Sequence, residues 1–184
     1  MGFNISYGYR KSVQLELEYE SKTKIKGIPL VHINLGYGHK KAKGIIAIGN
    51  IAQGIIAIGG IALGILSIGG LSAGLISIGG LAVSLLIALG GLSIAPIAIG
   101  GMAIGIFALG GFAVGIYSIG GGAIALNVAA GGFANGHIAI GDSTMGDITF
   151  KINQSLSCTE IERVILQEFS YTPSLFINII KMFI

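Results

Sequence analysis

The sequence predicts an all-β chain whose middle is a β-solenoid, with an N-terminal β cap and short C-terminal helices. Three observations carry this expectation. Between Lys43 and Asp142 the chain runs 98 residues without one Asp, Glu, Lys or Arg. Through that stretch a small residue returns at almost every fifth position, usually Gly, and 32 of the 184 residues are Gly, far above the roughly 7% of ordinary chains. The residues between are mostly Ile, Leu, Val and Ala, and the branched ones favour short strands.

Three segments follow: a charged β cap over 1–43, the hydrophobic Gly-rich array over 44–146, and a C-terminal cap over 147–184. Residues 13–20, VQLELEYE, alternate apolar and polar as a half-buried strand does. The segment KIKGIPLVHINLG reads as a second strand pair. Residues 1–43 hold eight Lys and Arg against three Glu, so this flank is basic. Lys22, Lys24, Lys26, Lys40, Lys41 and Lys43 are candidate contacts with anionic lipid, the competing reading being a solvated strand face. Charges beside the first coil also discourage another edge from adding to it. A nucleic-acid partner is not expected, because the aromatic interleaving of such a surface is missing.

In the array the small lead residue falls at 44, 49, 54, 59, 64, 69, 74, 79 and 84, then steps by six to 90. Fives resume to 125, and a second step of six leads to 131, 136, 141 and 146. Gly-Gly pairs add a ten-residue rhythm. A long uncharged apolar run is first of all a signal for membrane helices. Against it, a ten-residue repeat turns a helical motif by about 280°, so its copies share no seam. Charged or polar loops, which set the orientation of membrane helices, are also missing.

Read as strands, the five-residue period is odd, so a continuous strand would send successive lead glycines to opposite faces. A corner in every repeat resolves this, with Gly supplying positive φ and close backbone approach. Four five-residue sides predict a four-sided coil of about 20 residues, with coils stacked ~4.8 Å apart. The third residue of each repeat is large and aliphatic, and Ile46, Ile51, Ile56, Ile61, Leu66, Leu71, Ile76 and Leu81 are the expected core ladder.

This spacing resembles that of pentapeptide-repeat proteins, a resemblance that implies a right-handed, four-sided β-helix with the lead and third residues inward. The departure is on the outside, where those proteins are polar and this chain carries Ile, Leu, Ala, Val or Gly. Left-handed hexapeptide acyltransferases have a period of six and a cleft histidine. Here only two steps of six occur, and His137 reads as a solvated turn residue in NGHIAIGD. The element SKTKIKGIPLVHINLG ahead of the array is similar to one found in a group of bacterial Gly-rich apolar repeat proteins of no assigned activity. That resemblance implies a bacterial, membrane-associated protein.

In the C-terminal segment, Ser157 with Glu160 forms a capping-box signature before the helical stretch EIERVILQEF. Pro173 suits the first turn of a final segment, SLFINIIKMFI, too short to span a bilayer. It is apolar enough to lie in a membrane interface, and docking on the last coil is the alternative.

No constellation carries chemistry. Cys158 is the single cysteine, which excludes an intrachain disulfide. His32, His39 and His137 are dispersed, no carboxylate pair suggests acid–base work, and no phosphate-binding GxxxxGK[ST] occurs. Ser67, Ser72 and Ser77 alternate with Ala at one repeat position and read as small packing residues. No catalytic residue, cofactor, metal site or small-molecule substrate is expected, and the chain reads as a non-enzyme. With every face apolar, its expected partners are the lipid bilayer and copies of itself. The leading expectation is a membrane-embedded or membrane-coating structural element of the bacterial cytoplasmic membrane, its basic flank cytoplasmic. At about 20 residues per coil the array would stand roughly 24 Å tall. The alternatives are a polytopic α-helical channel, transporter or pore-forming effector, and a soluble scaffold resembling bactofilin filaments.

Overall fold

The computed structural model describes residues 17–25, 27–36, 38, 40–151 and 158–183. Residues 13–16 of the first expected strand lie outside the described residues, as do Lys26, His39 and Ser157. The chain forms two compact units, Met1–Leu92 and Ser93–Ile184, described in turn.

The first unit opens with β1 (Leu17–Glu20), the two-residue strands β2 (Lys24–Ile25) and β3 (Ile28–Pro29), and β4 (Val31–Leu35). β1 pairs antiparallel with β4, Leu17 opposite Leu35 and Glu20 opposite His32. β2 and β3 make the small hairpin between them, with Gly27 in the turn at φ 82°. β4 then lies parallel to the start of β6 (Ile46–Ile94), Val31 beside Ile46. β5 (Lys41–Lys43) lies parallel to the next stretch, Lys41 beside Ile51.

That last pairing advances ten residues per coil, and the array keeps the step. A Cβ built on Gly54, Gly64 or Gly74 would run into the carbonyl oxygen of Gly44, Gly54 or Gly64, each ten residues earlier. Ile51 N–H donates to Lys40 O and Ile56 N–H to Ile45 O, the slanted bonds of a parallel ladder. Ten extended residues measure about 33 Å, so returning to register one strand spacing higher requires two reversals per coil. Each coil has two sides of one pentad each.

The β-solenoid is therefore as the sequence predicts, but its coil is half the expected length and two-sided instead of four-sided. A period of five is satisfied by any whole number of sides. What selects two is the alternation of pentads: those beginning Gly-Ile or Gly-Leu occupy one side, those beginning Gly-Gly the other. The ten-residue rhythm of Gly pairs is the coil itself. The height estimate of roughly 24 Å loses its basis, since each ~4.8 Å of rise consumes ten residues. The helical alternative is overturned outright: residues 46–94 and 97–135 are strand throughout.

The interior also differs from expectation by one residue. The buried column is the fourth pentad residue, Ala47, Ala52, Ala57, Ala62, Ser67, Ser72, Ser77, Ala82 and Ala88, not the third-residue ladder of Ile46 through Leu81. Ile61 and Leu71 of that ladder are exposed and the others half-buried. Two sides facing each other across so thin a coil leave room only for Ala or Ser, so alternation places the aliphatic third and fifth residues outside. Ser67, Ser72 and Ser77 do pack as small core residues. Their hydroxyls are used internally: Ser67 Oγ and Ser77 Oγ are 2.9 Å apart, and Ser77 Oγ donates to Val83 O at 3.0 Å.

The lead glycines have a different cause from the expected one. Among the described glycines only Gly27 and Gly38, both outside the array, have positive φ. In the array Gly is required where the lead residue lies under the backbone of the neighbouring coil and a Cβ has no space.

The second unit is built on the same ten-residue step. β7 (Ile97–Asn135), β8 (Ile138–Met145) and β9 (Ile148–Lys151) are parallel and in ten-residue register, with Val128, Ile138 and Ile148 stacked. The ladder thus continues to Lys151, past the expected limit at residue 146. Its inward column is Ser93, Ala98, Ala103, Ala108, Ala113, Ser118, Ala123, Ala129, Ala134 and Ala139. The two six-residue steps are single-residue bulges that leave the stacking intact: Gly90 sits over Gly79, and Gly131 over Gly120, eleven residues apart. Each bulge puts a leucine out, Leu85 at 71% and Leu126 at 74% exposure.

After the coils come α1 (Cys158–Glu168) and α2 (Ser174–Phe183). They lie against one side of the coils, where Ile161, Ile165, Phe176 and Ile180 join Tyr117, Ile119, Val128, Ile138 and Ile140 in one buried cluster. The expected docking on the last coil's edge is thus replaced by cover of a side face spanning several coils. The reason is on that face, which offers large apolar side chains at every rung.

Candidate interaction surface

Because the third and fifth pentad residues point outward, each side of the solenoid carries two aliphatic ladders. In the first unit Ile58 and Ile78 are exposed on one side, Ile61, Leu63, Leu71 and Val83 on the other, and Ile55 and Ile65 flank the reversal. In the second unit the Gly-Gly side exposes Met102, Ile104, Phe112, Ile124 and Phe133. The opposite side is the one that α1 and α2 cover. Contiguous apolar surface of this kind marks a partner or membrane site.

The covered side explains how such a ladder is satisfied. Phe107 and Tyr117, ten residues apart, stack with centroids 5.2 Å apart, and Phe176 of α2 meets Tyr117 edge-on at 5.0 Å. Polar ends are joined in a chain: Asn127 Nδ2 donates to Tyr117 Oη at 3.3 Å, and Tyr117 Oη lies 3.4 Å from Thr172 Oγ1, which donates to Phe169 O. Buried hydroxyls and amides need such partners, so this trio fixes which rungs α2 covers among many similar ones. Lys181 of α2 pairs with Glu162 of α1.

His137 is not simply a solvated turn residue. It is half-buried, its Nδ1 lies 2.7 Å from Asp147 Oδ2 on the next rung, and the ring of Phe169 meets it edge-on at 5.7 Å. It links the last rungs to the end of α1.

The candidate lipid-contacting lysines are only partly brought together. Lys41 and Lys43 project from β5 on either side of buried Ala42. Lys24, on the β2–β3 hairpin, is engaged with Glu20 at 2.8 Å. That hydrogen bond and the Lys24 charge hold the Glu20 carboxyl below its ordinary pKa. Lys22 is exposed, Lys40 half-buried, and Lys26 lies outside the described residues. His32 serves the cap: its Nδ1 accepts from the Lys43 amide at 3.0 Å. Asn50 stands where later coils have the second Gly, and donates to Gly36 O and Gly38 O, both at 2.7 Å.

Among the described residues no cluster of three His, Cys, Asp or Glu side chains is arranged to hold a metal ion. No described helix is long and apolar enough to cross a membrane. The chain matches no protein-family model, no curated protein and no solved structure with significance.

Proposed function

We propose that this protein is a non-enzymatic structural or assembly element whose β-solenoid lies in or on a lipid bilayer. The observation that carries the reading is the outward placement of the aliphatic ladders. Side chains such as Ile65, Leu71, Ile104 and Phe112 stand exposed on the solenoid, in a stretch with no charged residue. Backbone hydrogen bonding is completed between coils, which meets the main demand of a hydrocarbon environment. α2 adds to it, since Leu175 and Met182 project outward at 72% and 88% exposure while Phe176 and Ile180 are buried. A short helix with apolar residues on its outer side suits a membrane interface. Lys41 and Lys43 at the start of the coils fit an anionic surface, which supports a reading in which the basic flank faces the cytoplasmic side of a bacterial membrane.

Flotation of the full chain with phosphatidylcholine vesicles, with and without phosphatidylglycerol, tests this. Binding to both, strengthened by the anionic lipid and weakened toward the neutral level by Lys41→Ala with Lys43→Ala, is the expected result. Sedimentation as large lipid-free assemblies that stay off vesicles refutes it and supports the bactofilin-like scaffold. For that second reading the solenoid faces are the better candidates than its start, because β1 closes the β4 edge antiparallel and carries Glu18 and Glu20.

A further inference from the structure

Between α2 and the coils it covers is a cavity of about 290 Å³ with no polar lining. Ile97, Ile99, Phe107 and Leu109 form its coil wall. Pro173, Leu175, Phe176 and Ile179 form the helix wall. We propose that this cavity is a binding site for one linear aliphatic chain, the acyl tail of a fatty acid or of a membrane lipid.

The lining sets the chemistry. An enclosed apolar cavity of ~150 Å³ takes up a hydrocarbon guest; this one has about twice that volume and is open on one side. With no polar atom in the wall nothing satisfies water, a headgroup or a peptide backbone, so a polypeptide is a poor occupant. The shape sets the class further. The coil wall advances by strand spacings and spans about 10 Å over the rungs of Ile99, Leu109 and Ile119, and residues 173–179 of the opposite wall run a similar ~9 Å. Volume over length leaves a cross-section of about 30 Å², one methylene chain wide at the ~4 Å contact distance of carbon pairs. The site reaches the surface, since Ile97, Ile99 and Leu175 of its lining are exposed. A headgroup can therefore remain in water while the tail enters beside α2.

The chain has no tryptophan, so Leu175→Trp installs a single reporter at the cavity mouth, and Ile104→Trp a second one on the open Gly-Gly side. Each full-length variant, kept in a fluorinated surfactant that mixes poorly with hydrocarbon, is titrated with 9,10-dibromostearate. Quenching at position 175 that saturates at one equivalent is expected, with only weak, unsaturated quenching at position 104. Adding Ile179→Phe, which fills the cavity, should weaken the saturable binding at least tenfold while circular dichroism stays unchanged. Parallel quenching at both positions, or undiminished binding with Ile179→Phe, overturns the site. For the unaltered chain, stearate should raise the melting midpoint by mass action, and no shift at any concentration also overturns it. Replacing the free acid by brominated phosphatidylcholine vesicles identifies the source: saturable quenching at position 175 points to a bilayer lipid, its absence to free acid. Vesicle flotation is scored separately, so failure of the cavity does not count against membrane association.

Discussion

Gly69 and Gly70 are neighbours in sequence, yet the same substitution should have different consequences at each. A Cβ at Gly69 would overlap the Gly59 carbonyl oxygen. A Cβ at Gly70 would stand 3.0 Å from the Gly60 carbonyl oxygen, a contact relieved by shifts of a few tenths of an ångström. To admit Gly69→Ala the two coils must part by about 1 Å, beyond hydrogen-bond range for the flanking ladder bonds. Two lost bonds at about 1 kcal/mol each, plus incompletely satisfied backbone groups at 1–3 kcal/mol, give a destabilisation of about 3–5 kcal/mol. Gly70→Ala costs less locally and recovers about 0.4–1 kcal/mol by restricting the unfolded chain, for a net change within about 1 kcal/mol. The two variants thus differ by about 2–6 kcal/mol, and at roughly 2–4 °C per kcal/mol for a chain of this size their melting midpoints should differ by about 4–24 °C. Thermal scans at the β minimum of circular dichroism read this directly. Equal midpoints, or a lower one for Gly70→Ala, would falsify the stacking account of the lead glycines.

Four other perturbations test separate parts of the structure. Ala103→Leu places a large side chain in the coil interior and should cost at least the 1–3 kcal/mol of ordinary overpacking, whereas Leu71→Ala, on the outside, should cost under about 1 kcal/mol; denaturant midpoints compare them. Tyr117→Phe removes the hydroxyl between Asn127 and Thr172 and should cost about 1 kcal/mol, seen as faster amide exchange in α2 with the coils unchanged. Ile165→Ala empties a fully buried position and should cost about 2–5 kcal/mol, loosening the helices before the coils melt. In a carboxyl titration Glu20 should have its midpoint below the ordinary value, and Lys24→Ala should return it upward. Because the folded-state value is depressed, whatever stability this pair lends is present above the ordinary carboxyl range and lost as pH falls through the folded midpoint.

The solenoid was legible because a five-residue period without charges is hard to satisfy any other way. The coil length was not, since five is the length of a side and the number of sides is silent in a single pentad. It was recoverable from the alternation of Gly-Ile and Gly-Gly pentads, a ten-residue signal. The buried column lies one residue beyond the expected ladder for a related reason. Ile51 and Leu66 look like core residues, yet a two-sided coil has no room for them, and the better signal was the run of Ala and Ser in the fourth position from Ala47 onward. The helix-covered face is not legible at a five-residue period because Phe107, Tyr117 and Asn127 recur every ten residues. Their link to Phe176 and Thr172 is made only in three dimensions.

The inversion of large and small residues bears on what must surround the protein. An Ala or Ser column offers little apolar area to bury, so the coils depend heavily on their backbone ladder. In water a hydrogen bond contributes only about 0.5–1.5 kcal/mol, because solvent competes for both partners, and it is stronger where solvent is excluded and the local dielectric is low. Geometry obliges the third and fifth residues to point outward, but it does not oblige them to be Ile and Leu; Thr, Lys or Glu would fit the same positions. Where α1 and α2 cover such a ladder, the cost of exposing it is removed and the bonds beneath are kept from water. On the proposed reading a bilayer does the same for the bare faces. Solenoid stability and membrane association then have one origin, and lipid should raise the midpoint of Leu71→Ala less than that of the unaltered chain.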